Sequence, residues 1–260
     1  MNQRDFKYAL NACYPLNENP LNYNLQIACL KGGIKLSELT IWGRANSINV
    51  QKVLWLCEDL KITYKRIDAG MEHGVNKTPE YLQFNPNGLV PTINDDGFIL
   101  WESHTVMRYL IRRTPSELAS QSASLLMYPA NPKQEALVDQ WLDWCNTVAW
   151  PAMRPLFWGW VRLKPEERNL QDLESSRQQM IKAFTVFDGQ LKMHTYATGD
   201  SFTLADIPMA LIAYRWFSIP IERPQFENLN RWYALISDHL TNYPKYFHVL
   251  QTIHLKNIHL

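Results

Sequence analysis

The sequence predicts an α/β domain followed by an all-helical domain. Three observations carry this: strand-patterned runs around one crossover helix between residues 38 and 114, a break rich in Pro, Ser and Ala at 115–131, and helical periodicity alone from 132 to 260. A chain of 260 residues has room for about two such units. Residues 1–37 are rich in Asn and follow neither period, so they read as an unstructured N-terminal arm.

Order begins at Leu39-Thr40-Ile41-Trp42, a short strand ending at Gly43. Val50, Val53, Leu54, Cys57 and Leu60 then recur at helical spacing, and Thr63 to Ile67 alternates as a second strand. Strand, helix, strand implies a crossover unit and a parallel pair. Pro91-Thr92-Ile93 and Phe98-Ile99-Leu100 flank Asn94-Asp95-Asp96-Gly97, which reads as a hairpin turn. A helix from Glu102 puts Val106, Leu110 and Arg113 on one face. The order βαβ then ββα is the thioredoxin-like arrangement. In the second domain four apolar stripes predict helices: Leu137, Trp141, Trp144 and Val148; Leu173, Met180, Phe184, Phe187 and Leu191; Leu204, Ile207, Leu211 and Tyr214; Phe226, Leu229, Trp232, Tyr233 and Ile236.

A formal net charge of +1 argues against a nucleic-acid partner, which demands a more basic chain. No apolar run approaches the roughly 20 residues of a membrane span, and the start MNQRDFKYAL lacks the layout of a signal peptide. Four cysteines, Cys13, Cys29, Cys57 and Cys145, form no CxxC and read as reduced thiols, so the expected compartment is the cytoplasm. His248, His254 and His259 are spaced by six and five residues and share no helical face; no metal site is expected. GxGxxG, the P-loop, HExxH and GxSxG are absent.

The chemistry lies in two segments. In Trp42-Gly43-Arg44-Ala45-Asn46-Ser47-Ile48-Asn49-Val50 a strand ends, a polar loop follows and a helix starts near Asn49. A helix N-terminus offers free N–H groups and partial positive charge to an anion such as a thiolate. A Ser hydroxyl there adds a charge-assisted hydrogen bond. The competing reading is that Ser47 or Asn49 simply caps the helix. The second segment is Asn85-Pro86-Asn87-Gly88-Leu89-Val90-Pro91-Thr92, followed after the hairpin by Leu100-Trp101-Glu102-Ser103. A Pro directly before a strand predicts a cis Val90-Pro91 peptide that leaves the Val90 main chain free to pair with an extended peptide. Glu102 accepts from an ammonium, and Ser103 with its helix N–H groups holds a carboxylate. An amino-acid head, an amide backbone and a thiol together fit these devices, and glutathione has all three.

Ser near the first helix, then NPNGLVPT, then FILWES resembles the glutathione transferase superfamily over about 210 residues from Leu39. The resemblance is to its serine-type branches, theta and related bacterial nu-type classes. It implies that Ser47 activates the thiol with help from Asn49, and that Val90, Pro91, Glu102 and Ser103 bind glutathione. His73 resembles a His that reaches the glycyl carboxylate in some serine-type members, although its loop is longer here; the alternative is an exposed loop His. Gly43-Arg44 stands where tyrosine-type members keep a Tyr, and Ser-Ile-Asn-Val where cysteine-type members need a thiol. Thr203-Leu204-Ala205-Asp206 also matches the family and reads as a capping box with a role in folding.

Trp150, Met153, Phe157, Trp158 and Trp160 crowd a stretch interrupted by Pro151 and Pro155 and cover more than one helical face. The family places its hydrophobic co-substrate along this helix, which implies a pocket with Trp150, Arg154, Phe157 and Trp158. Arg154 and Arg162 are cations for an anionic substituent, or else ordinary surface arginines. The implied activity is attack of a glutathione thiolate on a hydrophobic electrophile, by a homodimer, with glutathione as co-substrate and no cofactor. The alternatives are a glutathione-dependent peroxidase and a non-catalytic binding or scaffold module of the same fold.

Overall fold

The computed structural model describes residues 39–114 and 127–241, apart from the side chains of 238–241. The expected arm at 1–37, most of the expected linker, the last 19 residues with His248, His254 and His259, and Cys13 and Cys29 lie outside the described residues.

The first domain runs β1 (Leu39–Trp42), α1 (Ile48–Asp59), β2 (Tyr64–Ile67), α2 (Pro79–Phe84), β3 (Thr92–Asp95), β4 (Phe98–Trp101) and α3 (Ser103–Arg113). Its sheet has the order β2-β1-β3-β4. β1 is parallel to β2, with Leu39 opposite Tyr64, while β3 is antiparallel to both β1 and β4. This is the βαβ–ββα order expected from the periodicities. The hairpin turn is narrower than the four residues read as turn, because Asn94 and Asp95 complete β3. Asp96 and Gly97 alone take positive φ, and Asn94 Oδ1 accepts from Gly97 N–H at 2.7 Å. Leu39 and Ile41 of β1, Ile93 of β3, and Val106, Met107 and Leu110 of α3 close the core around α1. Arg113 ends α3 in an ion pair with the buried Asp95.

One element lacks an apolar stripe long enough to read: α2, a six-residue helix started by Thr78, whose hydroxyl accepts from Tyr81 N–H, and by Pro79 at its first turn.

The second domain holds α4 (Pro132–Trp144), α5 (Trp150–Val161), α6 (Leu170–Met193), α7 (Asp206–Ser218) and α8 (Glu227–Thr241). Asn131 and Asn169 cap α4 and α6 through their side chains. The stripe expected for α4 is displaced. Leu137 and Val148 are exposed, while Val138, Trp141, Leu142, Cys145 and Ala149 are buried. The buried set keeps helical spacing but is centred one residue later than the expected stripe, and a π-helical turn at Cys145–Ala149 joins α4 to α5. The α6, α7 and α8 stripes are buried nearly throughout, with Phe187 set edge-on between Trp141 and Trp232. Helix α7 is buried on almost every side and lies against α1. There Arg215 Nη2 donates to Gln51 Oε1 at 2.7 Å, a buried bond between the two domains.

Candidate functional site

Ser47 is held at the start of α1 by main-chain geometry. Gly43 N–H bonds Ile67 C=O, Arg44 N–H bonds Ala69 C=O, and Ser47 N–H closes a turn onto Arg44 C=O. Any side chain at Gly43 would collide with Val50 on the first turn of α1, so the strand end approaches the helix this closely only with glycine. Ser47 is extended (φ −81°, ψ 126°), 8% exposed, and its main-chain oxygen accepts from Gln51 N–H at 2.8 Å.

Of the two readings of Ser47, the side-chain cap is not formed. Thr78, Asn131 and Asn169 each cap their helix with a side-chain oxygen. The Ser47 hydroxyl makes no capping bond, and the first turn of α1 carries no acid. Among the described residues the terminus therefore keeps free N–H groups, a partial positive charge and a hydroxyl outside the capping. Asn49 is half-buried on that turn.

The Val90-Pro91 peptide is cis. Neither the N–H nor the C=O of Val90 has a hydrogen-bond partner among the described residues. Its neighbours, by contrast, are fixed. Tyr81 OH donates to Leu89 C=O at 2.5 Å and shares a 2.7 Å bond with Thr92 Oγ1. Asn85 Nδ2 reaches the same two acceptors at 3.1 Å, and Asn76 Nδ2 donates to Gly88 C=O at 2.6 Å. Asn76, Tyr81, Asn85 and Thr92 are thus positioning residues for the Val90 edge. Sequence reasoning used Asn85 and Thr92 only as motif letters and missed Asn76 and Tyr81, whose partners lie 8 to 12 residues away. The Thr78-Pro79-Glu80 start was a signal for the helix that carries Tyr81.

Glu102 sits at the N-cap of α3 with φ 70° and ψ 110°, a region that a side chain enters at a cost of order 1–3 kcal/mol. Its carboxylate caps nothing in the helix and is exposed. Ser103, the first helical residue, is buried. Below them Lys52 Nζ lies 2.9 Å from His104 Nε2, both buried. Burial lowers the Lys52 ammonium to about 8, with Cys145 and Glu102 opposing and Arg215 assisting. Burial also pushes His104 well below its usual range, so its neutral ring accepts from Lys52. Ser47, Val90, Glu102 and Ser103 all lie at loop ends around α1 and α3, beside the β1 and β3 termini.

His73 ends a short 3₁₀ turn after β2, exposed, with Nε2 3.5 Å from Glu72 Oε1 and 3.8 Å from Asp68 Oδ1. Both neighbours are carboxylates, which suits an exposed loop His better than a carboxylate ligand. On α5, Trp150, Arg154, Trp158 and Arg162 follow at four-residue spacing. The Arg154 and Arg162 guanidiniums stand 5.3 and 5.0 Å from the Trp158 ring. Phe157 turns away from this stripe: it is 7% exposed and covered by the Arg215 guanidinium at 5.1 Å. Burial raises both described thiols, Cys57 far up and Cys145 to about 11, so neither offers a ready thiolate. Among the described residues no group of His, Cys, Asp and Glu is arranged to hold a metal, and no helix is long and apolar enough to cross a membrane.

Two family models match the chain. The model of the glutathione S-transferase N-terminal domain matches residues 46–113, and that of the C-terminal domain matches residues 150–239. Glutathione S-transferase GstB of Escherichia coli (strain K12) is 36% identical over 202 residues, which cover 77% of this chain and 93% of that protein. Glutathione S-transferase 1 of Manduca sexta is 28% identical over 202 residues, covering 75% and 85%. The theta class glutathione S-transferase of Xanthomonas axonopodis pv. citri, solved with glutathione bound, superposes with a TM-score of 0.71 at 37% identity, covering 77% of this chain and 93% of that one. With both domain models matched and such identity over most of its length, this chain belongs to the glutathione S-transferase family.

Proposed function

We propose that this transferase binds glutathione along the Val90 edge, ionises its thiol at Ser47, and transfers the thiolate to a hydrophobic electrophile lying against α5. The observation that carries the reading is the Ser47 hydroxyl, placed at a helix N-terminus and left out of the capping that other helices use. In the reading, Val90 N–H and C=O pair with the ligand's amide backbone, as an added strand would. Glu102 takes the ammonium, and Ser103 with the α3 terminus takes the neighbouring carboxylate. The glutathione bound to the Xanthomonas relative supports the choice of ligand.

The energetics suffice. A thiol with a pKa of about 8.5 is only a few per cent ionised at neutral pH. Lowering it by about two units requires ~2.7 kcal/mol of selective stabilisation of the anion. One hydroxyl bond to a charged acceptor supplies ~1.5 to 3 kcal/mol, and the helix terminus ~0.3 to 1. Ser47 acts as a donor and keeps its own proton. The sulfur then forms a bond to the electrophilic carbon, and the leaving group departs with its electron pair.

The same reading places the enzyme in the cytoplasm as a homodimer, with the first domain of one chain against the second domain of the other. Retention on immobilised glutathione together with turnover of a neutral aryl halide tests the activity. Retention without turnover of any electrophile, hydroperoxides included, would indicate a binding module instead.

A further inference from the structure

The described arginines divide sharply. Arg66, Arg108, Arg112, Arg113 and Arg177 each pair with a carboxylate. Arg168, Arg215, Arg223 and Arg231 donate to carbonyl or amide oxygens. Arg44, Arg154 and Arg162 are the remaining three, and among the described residues their side chains bond to no protein oxygen.

These three gather at one place. Arg44 Nη1 lies 2.8 Å from where a Cβ on Gly70 would stand, and that same point is 3.4 Å from Val90 Cγ2. Arg162 Nη1 lies 3.8 Å from the sulfur of Met71, the next residue along the chain. Arg154 and Arg162 bracket the Trp158 ring. The Nε atoms of Arg44 and Arg162 are both buried without a hydrogen-bond partner. Burial first, then the repulsion of Arg162, lowers Arg44; burial lowers Arg162, with Glu72 opposing in both. Glu72 forms an ion pair with neither guanidinium and instead lies 3.5 Å from His73 Nε2, while Asp68 is held by Arg66. Two half-buried guanidiniums beside the single carboxylate of Glu72 are a net positive locus, and their planar donors suit a carboxylate.

We infer that Arg44 and Arg162, with Arg154 at the rim of Trp158, form an anion subsite for the co-substrate, so that the enzyme's electrophiles include ones carrying a carboxylate near the reacting carbon. The inference rests on the transferase reading and adds the substrate class to it. Arg44 makes the placement specific: it lies on the same loop as Ser47, three residues before it, and beside Val90, so the anion sits close to the activated sulfur.

The test uses a matched pair, 4-chloro-3-nitrobenzoate and its carboxamide. In both, the glutathione sulfur bonds to the ring carbon, chloride leaves with the electron pair, and the thiol proton goes to solvent. The readout is the ratio of kcat/KM for the carboxylate over the amide, in which any loss common to both substrates cancels. The ratio should fall at least tenfold in Arg44→Gln and in Arg162→Gln, and recover in part in Arg162→Lys. In parallel, calorimetry with the two pre-formed glutathione conjugates reads the same preference without turnover. The carboxylate conjugate should lose at least tenfold more affinity than the amide conjugate in each Gln variant. A turnover ratio and a conjugate preference that both stay unchanged in the Gln variants would overturn the subsite while leaving transferase activity intact. If neither halide reacts, the conjugate preference alone decides the subsite: a preference unchanged in the Gln variants overturns it, and the transferase reading is tested separately by the wider electrophile panel.

Discussion

Asp206 is the residue whose replacement should cost the fold most for the least change in shape. It is fully buried at the start of α7, and its carboxylate is surrounded by donors. Oδ1 accepts from Ala197 N–H and Trp232 Nε1–H, both at 2.9 Å. Oδ2 accepts from Thr203 N–H at 2.8 Å and from the Thr203 hydroxyl at 3.1 Å. The expected capping box is thus half formed. The acid reaches back to the Thr203 N–H, whereas the Thr203 hydroxyl donates to the same carboxylate instead of accepting from the helix. In Asp206→Asn one oxygen remains. The amide NH₂ is best turned toward Thr203, whose hydroxyl can rotate to accept, so the Thr203 N–H alone is orphaned. That costs ~1 to 3 kcal/mol, and the surviving bonds lose their charge assistance, for a total of about 2 to 4 kcal/mol. Asp206→Ala strands three buried N–H donors, about 3 to 9 kcal/mol, against a typical stability of ~5 to 15. Urea denaturation of both variants checks the ranking. An Asp206→Asn protein within about 0.5 kcal/mol of wild type would refute the reasoning, because the four bonds would then contribute no more than a surface contact.

Three other outcomes are expected. Glu102→Ala should weaken glutathione binding about tenfold or more, ~1.4 kcal/mol, in a calorimetric titration, whereas Ser47→Ala should keep affinity and lose turnover. Lys52 has a folded-state pKa of about 8 against 10.5 in the open chain, so its burial penalty is complete below pH 8 and is relieved as pH rises toward 10.5. Measured against Lys52→Met, wild type should gain roughly 3 kcal/mol of relative stability across that window; a difference flat with pH would mean that Lys52 titrates normally. Light scattering at micromolar concentration should return a dimer, and a monomer would remove the proposed pairing of domains.

Much of the fold is legible because its signals are local. Asp96-Gly97 dictates a hairpin, and Val90-Pro91 with Glu102-Ser103 marks two loop ends whatever surrounds them. What escaped depends on contacts distant in sequence. The buried face of α4 is centred on Val138, Trp141, Leu142 and Cys145, one position on from the stripe through Leu137 and Trp144, because contacts with the other helices choose between two faces of similar apolarity. Phe157 belongs to the core because Arg215, 58 positions on, closes over its ring. Gln51 and Lys52, polar by sequence, are buried because Gln51 meets Arg215 of α7 and Lys52 meets His104 of α3. Arg44, a loop residue without periodicity, gains meaning only beside Gly70, Val90 and Arg162.

The central claim is that Ser47 and the α1 terminus stabilise a thiolate, and the protonation state of bound glutathione tests it most directly. Ultraviolet absorbance of the thiolate is followed across pH for the complexes of wild type and Ser47→Ala. The wild-type curve should lie on the acid side of free glutathione, with proton release as the complex forms near neutral pH. The Ser47→Ala curve should move back by one to two pH units, ~1.4 to 2.7 kcal/mol. A wild-type complex whose thiol titrates like free glutathione would contradict the account, leaving a protein that holds glutathione without activating it.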